Sequence, residues 1–390
     1  MSLAPSEANF GQEHAETLID AAREFARGEL LSLDRAWDLD ESSVAAALPR
    51  LSEMGLLTLV VPDDVGGLGC SFRTAASIIH ELAVLSPSTA VTVAVHSLVG
   101  GIVDRFVAEP LRSRWLSQWG EPSNFAAFAL SEAGAGSDAA GITTTAVEGA
   151  GGFRLNGEKM WVTNGLSAGW FFVVARLKGL PHKEDYCGFM LRGDTPGISR
   201  TKVRGKMGIR GSETAVIGLT DVLVPNENLV GERGQGLSVC LSSLSRGRVG
   251  IGAQATGIAE ACLSEMIGYA RQREQFGRPI GGFQAVAAMI ADSAVELEAA
   301  KALVWRAASG IDGGETCRTA SSMAKLYASE AANRIAYRAV QVHGGAGYVH
   351  ECRVEQLFRD ARITSIYEGT SEIQRIVIAR ELARSRPAGA

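Results

Sequence analysis

The spacing of apolar residues divides the chain into three regions. From about residue 13 to residue 115, apolar positions recur every three or four residues, which is the spacing of one helix face. The pattern predicts helices over residues 14–31, 41–54 and 74–85, with a stretch rich in turn residues at 62–67. We therefore expect the first region to be all-helical.

The middle region, from about residue 125 to residue 235, has the pattern of a β-sheet. Residues 170–175 and 215–224 are rich in β-branched and aromatic side chains, which favour strands. Asn156-Gly157 and Asn164-Gly165 flank residues 159–163 in the way that hairpin turns flank a strand. These patterns predict a β-barrel or a β-sandwich.

Helical spacing returns from about residue 237 onward. Val286, Met289, Ile290, Ala294 and Leu297 form an apolar stripe of the kind that packs against other helices. Several helices of this kind predict a bundle. The order helix, strand, helix has no repeated βαβ unit and no strand-GxGxxG-helix segment, which argues against a doubly wound nucleotide-binding sheet.

Composition narrows the class of protein. The 390 residues, 46% of them hydrophobic, are enough for about two or three domains with sizeable cores. The formal net charge of −5 and the absence of a Lys/Arg run argue against a nucleic-acid partner. The six cysteines show no CxxC spacing and the six histidines show no metal-ligand spacing, so we expect neither disulfides nor a metal site.

The sequence contains no targeting signal that we can identify. Its N-terminus lacks the basic flank and the apolar core of a signal peptide, and no stretch approaches about 18 uninterrupted apolar residues. Scattered cysteines agree with a reducing compartment. We therefore expect a cytoplasmic protein with no membrane partner.

Residues 366–375 place one carboxylate, that of Glu368, just before a predicted helix. If this segment packs inward, Ile366 and Tyr367 remove water from the carboxylate, which disfavours its charged form and raises its pKa above about 4.3. Glu368 would then be a stronger base.

The residues that follow Glu368 suit a ligand site. Gly369 leaves room for a ligand to approach the backbone, and Thr370 or Ser371 can cap the next helix. The same residues also fit an ordinary acidic helix start, so this segment by itself leaves both interpretations open.

Two segments of the middle region are candidates for binding a cofactor. Residues 129–138 are small and hydroxyl-bearing, so backbone N–H groups there can converge on a pyrophosphate or a flavin edge, with Ser131 and Ser137 as further donors. Trp161 offers a ring that can stack on a flat cofactor, and Thr163 lies two positions on, on the same strand face. Alone, the first segment also fits a connecting loop and the second also fits a core strand.

Taken together, these segments resemble the acyl-CoA dehydrogenase family, flavoproteins that oxidise acyl-CoA thioesters to trans-2-enoyl products. The resemblance covers nearly the whole chain and is most similar to the short-chain and general bacterial branches. Its motifs are Leu130-Ser-Glu-x-x-x-Gly-Ser-Asp138, Trp161-Val-Thr163, Met207-Gly-x-Arg210, Arg273-x-x-Phe276-Gly277, Gln341-x-x-Gly344-Gly345-x-Gly347 and Tyr367-Glu368-Gly369-Thr370.

The resemblance implies an α+β fold built from three domains. These are an N-terminal helical domain at residues 1–124, a middle β-barrel or sandwich domain at residues 125–235 and a C-terminal four-helix bundle at residues 236–390. It also implies a homotetramer, arranged as a dimer of dimers, in which a neighbouring subunit reaches the adenosine half of each FAD.

The cofactor implied is FAD. The residues expected to contact it within one subunit are Phe128, Leu130, Ser131, Ser137, Trp161 and Thr163, with Thr370 and Glu372 after the base. The residues expected to contact it from the neighbouring subunit are Arg273, Gln275, Phe276, Gln284, Gln341, Gly344 and Gly345.

Glu368 matches the family's base, which removes the proton α to the thioester carbonyl as the β-hydride passes to the flavin. In one subgroup the base instead comes from the helix position just before the residue that is Arg248 here, and this chain has Gly247 at that position. The resemblance therefore leaves the role to Glu368. The residues that it implies for substrate binding are Ser137, Ser245, Arg248, Tyr367 and Gly369.

Three positions depart from the family pattern. Ala133 stands where a proline is frequent, Ser245 where an aspartate is frequent, and Gln356 where a basic residue is frequent. We expect FAD binding to survive the first, acyl-CoA affinity to respond to the second, and the third to lie at an interface.

We therefore expect an FAD-dependent acyl-CoA dehydrogenase of fatty acid β-oxidation that takes an acyl-CoA substrate and passes electrons to an electron-transfer flavoprotein. An acyl-CoA oxidase using oxygen is the nearest alternative. A nitroalkane oxidase would carry Asp at position 368, and a damage-response flavoprotein of the same fold would carry a basic C-terminal addition, which the residues after Glu368 do not provide.

Overall fold

The computed structural model describes residues 5–182 and 184–385, so the outer ends of the first and last predicted domains, residues 1–4 and 386–390, lie outside the described residues. The part before the sheet is helical, as expected. Its α-helices are α1 (Pro5–Phe25), α2 (Leu31–Asp40), α3 (Leu48–Glu53), α4 (Phe72–Leu85), α5 (Pro87–Phe106) and α6 (Leu111–Leu116).

The predicted helix bounds are nearly right for α4 but wrong for the two helices predicted before it, over residues 14–31 and 41–54. A π-helical turn, Ala26–Leu30, joins α1 to α2, so helical structure continues well past residue 31. The helix predicted over 41–54 begins late. Glu41 has φ +55, which ends α2, and Pro49 in the first turn lacks the N–H that a helix interior requires.

The middle region forms one eight-stranded sheet in the described residues. Its strand order is β6-β7-β3-β2-β4-β5-β8, and β1 pairs with β4. The strands are β1 (Ala126–Ala129), β2 (Thr145–Gly149), β3 (Gly152–Thr163), β4 (Trp170–Leu177), β5 (Tyr186–Arg192), β6 (Ile198–Lys202), β7 (Thr214–Val224) and β8 (Leu229–Val230).

The predicted hairpin turns at Asn156-Gly157 and Asn164-Gly165 are wrong. β3 runs straight through Asn156 and Gly157, where its pairing with β7 shifts register, and the hairpin lies earlier, between β2 and β3. Asn164 does end β3, but the next strand, β4, pairs with β5, β2 and β1 instead of β3. A register shift needs the same permissive residues as a turn, which explains the misleading signal.

Both faces of β4 are covered. On β4, Trp170, Phe172 and Val174 pack with the helices α5 and α6, while Phe171 and Val173 pack among the other strands. This alternation is the two-residue period of a strand buried on both sides. The sheet is thereby anchored against the first helical region.

The last region is built on three long helices, α7 (Gly236–Gln272), α8 (Gln284–Asp312) and α9 (Arg318–His343). A small hairpin, β9 (Glu274–Gln275) and β10 (Arg278–Pro279), joins the first two. Two shorter helices, α10 (Arg353–Ile363) and α11 (Ser371–Ser385), complete the bundle, and α4 shares its core. None of the helices in residues 5–182 and 184–385 has the length and apolarity needed to cross a bilayer.

Candidate active site

A left-handed turn between α10 and α11 carries Glu368. Its backbone φ is +53 and that of Gly369 is +90. Thr370 then begins α11, since its Oγ1 accepts a hydrogen bond from the N–H of Ile373 at 3.3 Å, which confirms the predicted cap. A left-handed glutamate is uncommon and costs about 1 kcal/mol, so the surrounding bundle must hold it in place.

The carboxylate of Glu368 lies against the helical bundle. Its Oε2 atom is buried and has no hydrogen-bond partner among the described residues. Burial raises the pKa of Glu368 to about 7, and the positive charges of Arg248 and Lys325 oppose the rise. The raised pKa expected from the sequence is confirmed, but Ile366 contributes less than expected, because it is 44% exposed.

Gly247 on α7 lies directly beneath this carboxylate. A Cβ atom at position 247 would stand 2.6 Å from Glu368 Oε2, closer than any real contact. The position that holds the base in one subgroup is therefore, in this chain, the space that the Glu368 carboxylate uses.

Two buried cations lie near Glu368. Arg248 is next to Gly247 and donates from one Nη to Ser322 at 3.3 Å, while its Nε has no partner among the described residues. Lys325 on α9 donates from Nζ to the carbonyl oxygen of Gly369 at 2.8 Å. The turn that carries the base is thus held by the side chain of a neighbouring helix.

A cavity of about 140 Å³ opens beside Gly247, between α4, α5 and α7. Its lining is mostly apolar and includes four charged side chains, those of Asp104, Arg105, Arg246 and Asp312. Ala94 and Ser97 of α5 also line this cavity. An apolar chain that entered the cavity would pass close to Glu368.

The predicted cofactor segments meet at the edge of β3. The N–H of Met160 donates to the carbonyl oxygen of Ser131 at 2.8 Å, and Lys159 Nζ donates to the carbonyl oxygen of Leu130 at 3.0 Å. These bonds set the segment of residues 129–138 beside Trp161. Ser137 is exposed on that segment.

A bulge presents the ring of Trp161. The register of β3 against β7 shifts between Lys159 and Val162, and Trp161 has φ +61. Its side chain is 60% exposed, so it is not a core tryptophan. Because of this bulge, the simple two-residue alternation used to place Thr163 on the same face does not apply here, although Thr163 stays half-buried at the strand end.

One apolar cluster links the sheet to the base. Val91, Val95, Ile209 and Ile251 form it, and Phe128 from β1 and Tyr367 from the Glu368 turn both pack against it. An exposed indole, nearby hydroxyl and backbone donors and this apolar floor suit the flat ring of a flavin. The residues present therefore fit FAD.

The second predicted set does not reach Glu368 within one chain. Arg273, Gln275, Phe276 and Gln284 follow the far end of α7, roughly 40 Å along the helix axis from Gly247 at about 1.5 Å per residue. They are exposed, and Phe276 is 93% exposed. Gln341, Gly344 and Gly345, also exposed, lie at the same end, since His343 stacks on Tyr269 at 4.3 Å.

The remaining predicted positions are now placed. Ser245 is half-buried on α7, Glu372 is exposed in the first turn of α11, and Tyr367 donates its hydroxyl to Gln254. Ala133 is exposed on the segment before Ser137. Gln356 is buried and bonds Asp34 at 2.7 Å and Arg35 at 2.6 Å, which joins α10 to α2 within the chain, so its place at an interface stays a prediction.

Sequence reasoning missed the polar groups that hold the site. These are Lys325, Gln254, Gln374 and the pair Lys159 and Glu132. A signal existed for Lys325, because helical spacing puts it on the same face as Ala328 and Ala332, which are core residues. In the described part of the chain, no three His, Cys, Asp or Glu side chains gather as a metal site.

Comparison with known proteins gives a consistent result. Family models of the acyl-CoA dehydrogenase N-terminal, middle and C-terminal domains match residues 12–121, 127–222 and 234–383. The mitochondrial short-chain specific acyl-CoA dehydrogenase of Mus musculus is 39% identical over 374 residues, 96% of this chain and 91% of that one.

Two further relatives agree. The caffeyl-CoA reductase-Etf complex subunit CarC of Acetobacterium woodii is 38% identical over 93% of this chain and 96% of its own length. The structure of butyryl-CoA dehydrogenase from Megasphaera elsdenii superposes with a TM-score of 0.92 at 34% identity, covering 95% of this chain and 98% of that one.

Proposed function

Because the chain belongs to the acyl-CoA dehydrogenase family, we propose that it oxidises a short acyl-CoA thioester to the trans-2-enoyl product, with Glu368 as the base. The enzyme is an FAD-dependent acyl-CoA dehydrogenase. Its substrate, its electron acceptor and the roles of its residues are the subject of the proposal.

The observation that carries the proposal is the state of the Glu368 carboxylate. Its Oε2 atom is buried, lacks a hydrogen-bond partner among the described residues and lies beside Gly247, which lines the cavity. With a pKa of about 7, the carboxylate is a far better proton acceptor than an exposed glutamate and is still ionised in part at neutral pH. A structural carboxylate would have been paired.

The chain's own groups can orient the thioester. The backbone N–H of Glu368 makes no hydrogen bond within the described residues, so it is free to donate to the thioester carbonyl and lower the barrier to α-deprotonation. Gly369, at φ +90, keeps that approach open, and Tyr367 packs beneath it. The α-proton then moves to the carboxylate of Glu368, which its surroundings shield from water.

FAD would be held by the segment with Leu130, Ser131 and Ser137, by Trp161 and Thr163, and by Phe128 beneath it. When bound, FAD supplies the two-electron oxidant that accepts the β-hydride. The exposed set at the far end of α7, which includes Arg273 and Gln341, would reach the adenosine half from a neighbouring subunit in a homotetramer. The distance along α7 supports that arrangement, since the two sets lie too far apart to contact the two halves of one FAD molecule from the same chain.

We infer that the electrons pass to an electron-transfer flavoprotein. Support comes from the relative described as a subunit of a caffeyl-CoA reductase-Etf complex, which this chain matches over 93% of its length. Stopped-flow reoxidation of the reduced enzyme separates this proposal from the oxidase alternative. Fast reoxidation by a flavoprotein acceptor and slow reoxidation by air are expected, and the reverse order would identify an oxidase.

A short to medium straight acyl chain is the substrate that the chain's features favour. The cavity beside Gly247 is small, at about 140 Å³, and the relatives include enzymes described as short-chain specific and butyryl-CoA dehydrogenases. A panel of straight and branched acyl-CoA thioesters, compared by the rate of flavin bleaching, tests the preference.

The central experiment is anaerobic bleaching of the purified protein. The protein should be yellow, and a short acyl-CoA should bleach it as the flavin is reduced. A protein that takes up FAD and binds acyl-CoA but is bleached by none of the thioesters would refute the proposed function.

A further inference from the structure

Lys325 is a fully buried lysine. The family motifs do not include it, and the proposed mechanism gives it no role. It lies in the middle of α9 among core alanines, and its Nζ donates to the carbonyl oxygen of Gly369 at 2.8 Å. Burying an ammonium group costs several kcal/mol, on the order of the net stability of a domain, unless it is compensated. Within the described residues no carboxylate lies close enough to form a salt bridge with it.

The charged and titratable groups around the site are few. Arg248 from α7 and Lys325 from α9 lower the pKa of Glu368. The charge of Glu368 in turn adds to the effect of burial in raising the pKa values of Cys240 on α7 and of Tyr367 beside it. After burial, the largest effect on the pKa of Lys325 comes from the charge of Glu368, followed by that of Arg248. Glu330 and Glu372 have smaller effects. Glu368 is thus the acid whose charge acts most strongly on this buried lysine.

We propose that Lys325 is a positioning residue for the base: its ammonium group holds the Gly369 carbonyl, fixes the left-handed turn that carries Glu368, and supplies a buried positive charge that favours the ionised carboxylate. The inference rests on the proposed function of Glu368. It adds a residue that acts through the base and touches no substrate.

The geometric part of this role is shared with Gln374. Its Nε2 donates to the carbonyl oxygens of Gly369 at 2.9 Å and of Glu368 at 3.2 Å. The Gly369 carbonyl therefore receives two buried donors, one charged and one neutral. Because two donors hold the same atom, removing either one separates the effect of the hydrogen bond from the effect of the charge.

The electrostatic part has a definite sign. Burial lowers the pKa of Lys325 to about 8, and the negative charge of Glu368 opposes that fall, so the lysine is still charged when Glu368 titrates near 7. Arg248 and Lys325 both lower the pKa of Glu368. Loss of the lysine charge must therefore raise that pKa and move the onset of base function to higher pH.

The test compares variants of the FAD-loaded enzyme by the pH dependence of flavin bleaching. Lys325→Met removes donor and charge, Lys325→Gln keeps a donor without the charge, and Gln374→Met removes the neutral donor alone. We expect the midpoint of the acid limb to rise by about one pH unit in both lysine variants. In Gln374→Met the rate should fall with the midpoint unchanged, and Lys325→Arg should keep the wild-type midpoint.

A second readout does not depend on turnover. The infrared band of the protonated carboxyl group that disappears in Glu368→Gln reports the titration of Glu368 directly, and its midpoint should rise in Lys325→Gln as well. An unchanged midpoint in both lysine variants would overturn the inference, as would an equal shift in Gln374→Met. If Lys325→Met loses FAD or unfolds, Lys325→Gln decides the question by the same two midpoints.

Failure of the inference and failure of the proposed function remain distinguishable. If no acyl-CoA bleaches the wild-type protein, the proposed function fails whatever the lysine variants do. If the wild type is bleached and Glu368→Gln is not, but the lysine variants keep the wild-type midpoint, only the role of Lys325 fails.

Discussion

The molecule buries a lysine beside a glutamate in two places, and the two places differ in how completely the charges are paired. Under the cofactor segment, Lys159 donates to Glu132 at 2.7 Å, and both glutamate oxygens accept further bonds from Thr143 and Thr144. In the bundle, Lys325 bonds only a backbone carbonyl, and one oxygen of the nearby Glu368 has no partner in the described residues.

The difference shows in the proton affinity of the two glutamates. Burial works against ionisation in both, but hydrogen bonds from Lys159 and Thr144 bring the pKa of Glu132 down to about 2, while the pKa of Glu368 rises to about 7. A satisfied acid cannot accept a proton near neutral pH and serves as scaffold. An unsatisfied acid can accept one, at a cost in stability.

The largest expected effect is that of removing the unsatisfied acid. Glu368→Gln should keep FAD and acyl-CoA but slow anaerobic flavin reduction by about 10⁴-fold, because the amide cannot take the α-proton. Glu298→Gln, on the exposed side of α8, is the matched control and should keep the wild-type rate. A normal rate of reduction in Glu368→Gln would place the base elsewhere.

Breaking the satisfied pair should damage the fold instead of the chemistry. Lys159→Met leaves Glu132 buried without its cation and should lower the free energy of unfolding by about 3–5 kcal/mol, as broken buried pairs do. FAD affinity should fall too, because Lys159 also holds the Leu130 carbonyl. Urea unfolding and FAD titration measure both effects.

A double variant controls for this interpretation. Lys159→Met with Glu132→Gln removes the stranded charge and should recover part of the lost stability. If the double variant were no more stable than the single one, the pairing of charges would not be what makes this region a scaffold.

Crowding the unsatisfied acid should cost less than removing it. Gly247→Ala would place a Cβ 2.6 Å from Glu368 Oε2, so the carboxylate must move, and flavin reduction should slow by about 100-fold. Gly268→Ala, in the same helix but facing open space, is the control and should keep the wild-type rate. Equal rates in the two variants would mean that the carboxylate position is not critical.

The two acids should also separate by pH. Below about pH 7, flavin reduction should fall roughly tenfold per pH unit as Glu368 is protonated. Glu132 has a lowered pKa, so the stability that it contributes is present above its unfolded value of 4.5 and is lost only as pH falls towards about 2. Activity lost between pH 5 and pH 7 together with unfolding would contradict this separation.

The smallest expected effect is a gain in stability. The raised pKa of Glu368 means that the folded protein binds more protons than the unfolded chain between about pH 4.5 and 7, so its contribution to stability falls as pH rises. At pH 8 the free energy of unfolding of Glu368→Gln should therefore exceed that of the wild type by about 1–2 kcal/mol, and the variant should unfold at a higher temperature. The two should unfold alike near pH 4.

The sequence predicted the three regions because each has a regular period. Helical spacing marked α4 and α8, and β-branched runs marked β4 and β7, since those periods follow from local geometry and burial. The helix ends and turns were less accurate, because Glu41 and the Asn156-Gly157 register shift depend on conformations that other residues impose.

The site was predictable as a set of positions but not as an electrostatic arrangement. The resemblance named Glu368, and the raised pKa followed from simple desolvation. The sequence did not predict that Lys325, 43 positions earlier, contacts the turn after the base, because only the packing of α9 on that turn decides it. Trp161 is similar: its exposure comes from a bulge, and a bulge has no period.

The left-handed backbone at position 368 also governs how this enzyme can evolve. Single-base changes in a glutamate codon lead to Asp, Gly, Val and a few other residues, and the φ of +53 excludes the β-branched valine while suiting Asp and Gly. Glycine abolishes the base, so aspartate is the substitution that keeps both a carboxylate and the turn. The backbone conformation at position 368 thus limits which single-base substitutions of the catalytic glutamate the fold tolerates, independently of selection on activity.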